Sequence, residues 1–390
     1  MKPYLKIISY LAVLVVMMNS HPSIAEGESW RERMHNRWQQ RLTKKQKQRA
    51  LKREPVTERF LSSYEAPGPH RTTVLDFPNL KDSTRNNRAV PLTVHAPAEG
   101  TNFPLIIMSH GGGGTREAHA YQAEHLASHG YVVICTEHIF SNNVRVKQLM
   151  ASRDKKMTFK EAIHAVTKDP RAMLGRPRDV SYAIDQAIGW NRTHRLLQRK
   201  INTKKIAVMG HSFGAYTTLV ACGARPILDH MDPPVTPGKG LAEDVSDNRI
   251  AFGFAMSPQS PGTTYFGKES YKTINRPLVC LTGSKDIQKS FKGKKMSPKK
   301  RLEVFNLLPV GRKYFLWLKN ADHFAFTDNP KAYLFPSEAR SDTQRISKVL
   351  MVIFSDMFLK EKQDMSMPIL KQYIQSLCGD VVTEIKWMEK

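Results

Sequence analysis

The stretch Lys205-Ile-Ala-Val-Met-Gly210-His211-Ser212-Phe213-Gly214-Ala215 constrains this chain more than any other part of its 390 residues. A short apolar run leads straight into Gly-x-Ser-x-Gly, and a helical pattern follows over Phe213–Cys222. A strand that turns this tightly into a helix leaves the serine Oγ projecting beyond the strand's C-terminal end. Gly210 and Gly214 are the small neighbours that let strand and helix close around it. The helix N-terminus beneath favours developing negative charge. A strand entering a helix in this way belongs to an α/β architecture.

The rest of the chain from Tyr64 keeps the same rhythm. Arg71–Phe77 and Ala89–His95 alternate in the manner of an antiparallel opening pair. Pro104–Met108, Tyr131–Thr136, Lys205–Met209, Ile250–Ala255, Pro277–Thr282 and Lys313–Leu318 are short apolar runs bounded by polar residues, Gly or Pro. Such runs suit strands buried on both faces of a parallel sheet. Helical stretches lie between them at Glu117–His129, Pro177–Trp190, Phe213–Cys222, Pro298–Leu307 and Ser341–Leu359. Ser297-Pro298 reads as an N-cap followed by proline at N1. The expected fold is one doubly wound, mostly parallel sheet with helices on both faces. Ser141–Gly175 interrupts the pattern, and Thr158-Phe-Lys-Glu161 reads as a capping box. A connection this long is either a lid over a site or a surface excursion.

Two further motifs converge on Ser212. Met108-Ser-His110-Gly111-Gly112-Gly113-Gly114 also follows an apolar strand, and its glycines leave backbone N–H groups unobstructed. That suits an oxyanion hole, with one donor from Gly112 and the other from Phe213. A phosphate loop would end in Gly-Lys-Ser/Thr, which this run does not. A nucleophilic serine needs a base, and the base needs an orienting acid. Asp286 follows the run Leu278–Thr282, and His323 follows the next one, Phe315–Leu318. Ser212, Asp286 and His323 thus stand in the chain order serine, acid, histidine, each just after a strand. Other histidines read as structural. His125 and His129 share a helix face without an evident third ligand, and His129-Gly130 suits a helix C-terminus. His110 and His211 shape the turns they occupy. Arg176, Arg178 and Asp179 open a core helix and read as a buried Arg–Asp tether, not as a substrate contact.

Composition bears on location. Sixty Lys and Arg face 35 Asp and Glu, a formal net charge of +25 that points to an anionic partner. Lys2 and Lys6 precede the apolar run Ile7–Met18, and Ser23-Ile24-Ala25 offers a cleavage site, so residues 1–25 read as an export signal. Export argues against nucleic acid and leaves an anionic membrane or envelope surface. Residues 26–54 form a basic arm in which Trp30, Met34, Trp38 and Leu42 recur every four residues, as on an interfacial or packing helix. Arg192–Lys205 and Lys285–Arg301 are further basic stretches, and residues 55–390 form the expected catalytic domain. Cys135, Cys222, Cys280 and Cys378 lack metal-ligand spacing, and four cysteines cannot staple a chain of this length. No metal or organic cofactor is implied.

These residues carry a resemblance. Pro104-Leu-Ile-Ile-Met-Ser-His-Gly, Leu126-Ala-Ser-His-Gly-Tyr, Arg178-Asp-Val180 with Asp185, and Gly210-His-Ser-Phe-Gly resemble the α/β-hydrolase superfamily. Within it, the chain is similar to the branch of platelet-activating-factor acetylhydrolase and the predicted dienelactone hydrolases, roughly from Val74 to Phe326. True dienelactone hydrolases use cysteine where this chain has Ser212. In the acetylhydrolases the acid follows the strand equivalent to Ile250–Ala255, whereas here no acid appears after it until Glu269. The expectation is an exported serine hydrolase of small-molecule or lipid esters, acting through Ser212, Asp286 and His323. A peptidase or acyltransferase on the same residues, and a non-catalytic envelope-binding protein, are the alternatives.

Overall fold

The computed structural model describes residues 64–152, 156–328, 336–361 and 367–390. The expected signal and basic arm, residues 1–54, lie outside the described residues. Nine strands form one sheet: β1 (Thr72–Phe77), β2 (Leu92–Pro97), β3 (Phe103–Ser109), β4 (Val132–Thr136), β5 (Ile201–His211), β6 (Ile250–Met256), β7 (Leu278–Lys285), β8 (Lys313–Asp322) and β9 (Ile385–Glu389). Their order is β1-β2-β4-β3-β5-β6-β7-β8-β9. The pairs from β4 through β8 are parallel, and β2 and β9 run antiparallel to their neighbours. Strand order reverses around β3, the topology that opens a crevice at the C-terminal ends of the central strands.

Alternation along the strands decides which helices pack where. Leu105, Ile107, Ile206 and Val208 face α5 (Gly175–Thr193) and α6 (Phe213–Ala221) in one buried cluster. Ile106, Met108, Ala207 and Met209 face α1 (Ala120–Ser128), α8 (Arg340–Leu359) and α9 (Met367–Ser376) in the other. The central strands are therefore sealed on both sides, and their continuous apolar runs follow from that. The interruption at 141–175 folds into α2 (Asn143–Met150), α3 (Phe159–Val166) and the short α4 (Pro170–Met173). Thr158 and Glu161 make the expected reciprocal capping box at the start of α3. Val146, Ala162 and Val166 form a small core of their own there.

Several boundaries differ for identifiable reasons. The second strand begins at Leu92, because Arg88–Ala89 pairs instead with Lys81–Asp82 and Pro91 intervenes. Helix α5 starts two residues before Pro177, which sits in its first turn, where a missing N–H costs nothing. Ser297 makes no side-chain cap; Pro298–Arg301 is a 3-10 turn leading into α7 (Leu302–Leu307). No described helix is long and apolar enough to cross a membrane.

Candidate active site

Ser212 occupies the sharp turn between β5 and α6 with φ 57° and ψ −117°, backbone angles that cost a non-glycine residue conformational energy. The turn is over-determined. Ser212 N–H donates to the Met256 carbonyl (3.0 Å), and its own carbonyl accepts from Gln259 Nε2 (2.7 Å) and Tyr216 N–H (3.1 Å). A Cβ at Gly214 would collide with the Ser109 carbonyl, and one at Gly210 would press on Gly214 and Ser109. Both glycines are therefore demanded by close approach of the turn to the end of β3.

The other two predicted residues meet this serine. His323 Nε2 lies 3.0 Å from Ser212 Oγ, and His323 Nδ1 lies 2.8 Å from Asp286 Oδ1. Asp286 is fully buried at the end of β7, and Thr282 Oγ1 donates to its other oxygen (2.7 Å). A carboxylate only accepts, so Nδ1 carries the imidazole proton and Nε2 is left to accept from the serine hydroxyl. The register of β7 with β8 shifts between Leu318 and Asp322, and Gly283 lets the Ala321 backbone approach. That irregularity turns the chain so that His323 faces Asp286. At the equivalent end of β6 stand Ser257 and Pro258, with no carboxylate. Burial by itself would raise the Asp286 carboxyl, but the charges of Arg301 and His323 outweigh it and hold it well below the ordinary carboxylate range.

The glycine loop sits directly against the serine: a Cβ at Gly111 would be 3.4 Å from Ser212 Cβ. Gly113 N–H is taken by the Ser141 carbonyl (2.8 Å) and Gly114 N–H by the Gly111 carbonyl (3.1 Å). The N–H groups of Gly112 and Phe213 make no hydrogen bond among the described residues. His110 explains the orientation of the first. His138 N–H donates to His110 Nε2 (3.1 Å), so His110 Nδ1 carries the proton and donates to the Gly111 carbonyl (2.6 Å). In a trans peptide the carbonyl and the following N–H point oppositely, so this bond directs Gly112 N–H away from His110. The insertion covers the same loop, since a Cβ at Gly112 would touch Thr167 Cγ2 at 3.4 Å and Ile163 Cγ2 at 3.8 Å.

Behind the loop lies a buried polar network whose extent the sequence did not disclose. Arg176 is fully buried and donates to the His110 carbonyl, Ser109 Oγ (3.1 Å), Ser141 Oγ (2.7 Å) and Thr217 Oγ1 (2.8 Å), with its guanidinium over the Phe213 ring. Asp179 is held in a buried Arg–Asp tether, but neither Arg176 nor Arg178 supplies the arginine. Asp179 instead accepts from Arg85 (2.8 Å), Arg88 (2.7 and 2.8 Å) and His138 Nδ1 (2.9 Å). The reason is helical geometry: arginines arriving from the segment before β2 meet Asp179, while Arg176 points toward the glycine loop. Arg178 is exposed and pairs with Glu243, and Asp185 pairs with Arg249 (2.5 Å).

The remaining histidines and cysteines take structural places. His125 Nε2 meets the Tyr64 carbonyl (2.9 Å) and His129 Nε2 the Ala66 carbonyl (3.1 Å). The described residues contain no cluster of His, Cys, Asp and Glu able to hold a metal ion. Burial pushes the Cys222 and Cys280 thiols up to about 12 and raises Cys135 also. A thiol at such a value is almost wholly protonated at neutral pH and inert. Treatment with iodoacetamide should therefore leave hydrolysis within about twofold of the untreated protein; rapid inactivation would place a cysteine in the chemistry.

A family model described as platelet-activating factor acetylhydrolase, isoform II, matches residues 80–174. Cutinase 2 of Thermobifida cellulosilytica is 29% identical over 145 residues, covering 37% of this chain and 44% of that protein. A cutinase of Thermobifida fusca is 29% identical over 145 residues, covering 37% and 36%. The platelet-activating factor acetylhydrolase of Cavia porcellus is 25% identical over 152 residues, covering 33% and 34%. The chain thus spans less than half the length of the curated relatives it matches. The triad-like arrangement and these relationships together support hydrolase activity.

Proposed function

We propose that this chain, an α/β-hydrolase-superfamily domain related to the platelet-activating factor acetylhydrolases and to cutinase-type esterases, cleaves carboxylic esters through a covalent acyl-enzyme on Ser212. The observation that carries the reading is His323 bridging Ser212 Oγ and Asp286 with its two ring nitrogens. His323 Nε2 accepts the hydroxyl proton as Oγ attacks the acyl carbon. Asp286 holds the imidazole in the tautomer that leaves Nε2 open and stabilises the imidazolium that forms. The N–H groups of Gly112 and Phe213 receive the oxyanion. The imidazolium then protonates the leaving alkoxide, and water admitted to the same site releases the acid by the reverse sequence.

The substrate side is read from what surrounds the oxyanion loop. Ile163 and Thr167 stand over Gly112, and Leu149, Met150, Met157 and Phe159 form a partly buried apolar group on the same insertion. A lid or wall of this kind suits an acetyl or lipid-type ester with an apolar chain. The basic segments and the expected export signal favour action at an anionic membrane or envelope surface outside the cytoplasm.

Purified protein should hydrolyse p-nitrophenyl acetate, butyrate and octanoate, and a fluorophosphonate probe should label Ser212 at one site per chain. The profile across acyl lengths assigns the preferred chain. Absence of both turnover and labelling in folded protein would overturn the esterase reading.

A further inference from the structure

The acid of the triad is not held by His323 and Thr282 alone. Arg301, the last residue of the basic stretch Lys285–Arg301, is itself buried, its side chain 2% exposed beside a fully buried Asp286. Its guanidinium uses every edge. Nη2 donates to Asp286 Oδ1 (2.7 Å), and Nε donates to the Asp286 carbonyl (3.0 Å). Nη1 donates to the carbonyls of Ser257 (2.9 Å) and Pro258 (2.7 Å) at the end of β6. One arginine thus staples the C-terminal ends of β6 and β7 and shares a single carboxylate oxygen with the catalytic histidine.

We propose that Arg301 is a positioning residue that fixes Asp286 for His323 and extends hydrolysis to lower pH by opposing an additional positive charge in the triad. The inference rests on the esterase reading above. The physical argument has two parts. A carboxylate oxygen already bonded to a guanidinium has less electron density to offer an imidazolium. The guanidinium charge also repels an imidazolium bonded to the same oxygen, and with Arg301 and Asp286 buried beneath the partly exposed His323 that repulsion is less screened than on an open surface. Both effects disfavour a protonated, inactive triad and act through Asp286, without Arg301 touching substrate.

The other groups facing His323 offer no substitute. His211 on the turn packs its ring 4.9 Å away, and burial, with His323 and His119 adding to it, pushes His211 well below the ordinary range. His119 stands behind it at 6.0 Å and is pushed down to about 4 by burial. Both are neutral at working pH. Asp322 lies on the same loop and caps Phe324 N–H (2.8 Å). Tyr265 lies near Arg301 and is pushed up to about 12 by burial, so it too is neutral. The guanidinium is therefore the one cation among these groups.

The test is the acid limb of kcat/KM for p-nitrophenyl acetate, followed by pH-stat. That limb reports the free enzyme. In Arg301→Met it should move upward by about one pH unit relative to wild type, as expected for removal of one charge at this range. Added guanidinium chloride should move it back. Arg301→Lys retains the charge and should keep the limb near its wild-type position, even with a reduced plateau. Should the methionine variant fail to fold, Arg301→Gln keeps a polar amide in the site and removes the charge, giving the same reading. A neutral variant that loses plateau activity with an unmoved limb would make Arg301 a purely structural staple and overturn the proposal. Lack of hydrolysis in the wild type would instead remove the esterase reading beneath it.

Discussion

Ser212→Ala should lower kcat for ester hydrolysis by about 10⁴-fold or more while leaving the protein folded. The expected size follows from what the substitution removes and what it leaves. On the proposed mechanism the nucleophile is lost, and with it the acyl-enzyme route. The N–H groups of Gly112 and Phe213 remain and can still polarise a bound carbonyl toward water, so a residue of catalysis survives. The fold should be indifferent because the Ser212 side chain has one hydrogen-bond partner, His323, on the rim of the site. Alanine meets the same left-handed backbone angles as serine, so no strain is added. The unfolding free energy should therefore stay within about 0.5 kcal/mol of wild type, as for a partly exposed substitution that removes no core contact. Retention of kcat within tenfold would exclude Ser212 as nucleophile, and KM should change little, because Oγ contributes in the transition state and not to substrate binding.

Much of this was legible in the sequence because it depends on local rules. The β5–Ser212–α6 turn announces itself by a strand, two glycines and a helix in succession. The runs at β3 to β8 are apolar throughout because both faces are covered, and their ends mark where Asp286 and His323 emerge. The network behind the glycine loop was less readable. Nothing in the spacing of Arg85, Arg88, His138 and Asp179 tells that three segments meet at one carboxylate. Arg301 was hidden for a different reason: it ends a run of lysines, and a run of charge reads as a solvated surface. A proline-initiated turn carries its side chain inward where those of Lys299 and Lys300 point outward. The C-terminal strand β9 was missed as well, since Ile385–Glu389 is a short edge strand of mixed polarity. Tertiary pairing with β8 decides its conformation.

Asp179→Asn is expected to cost about 3–5 kcal/mol of stability, the typical result of removing one member of a buried ionic group and leaving its partners unpaired. The group is well suited to show this. Asp179 is completely buried and receives hydrogen bonds from two arginines and a histidine, joining α5 to the segment before β2 and to the loop after β4. Burial alone would raise its carboxyl; the bonds from His138 and Arg88 outweigh that and hold it well below the ordinary carboxylate range. His138, pushed down to about 3 by burial and then by Arg176, is neutral at working pH, so the arginines supply the opposing charge. The sign of the pH dependence follows. A carboxyl whose folded value is depressed contributes its full stability above the unfolded value, about 4, and loses it as pH falls toward the folded value. The gap between wild type and Asp179→Asn, measured by urea unfolding, should be constant from pH 8 to about 5 and shrink only below about 4. A gap that widened on acidification would contradict the ionised assignment. The same variant should also lower kcat. Asp179 fixes the His138 ring, the His138 N–H holds the His110 tautomer, and His110 aims the Gly111–Gly112 peptide. If unfolding is shifted as expected while kcat stays at the wild-type level, the glycine loop is held by Arg176 alone and this chain of contacts is not used in positioning the oxyanion donor.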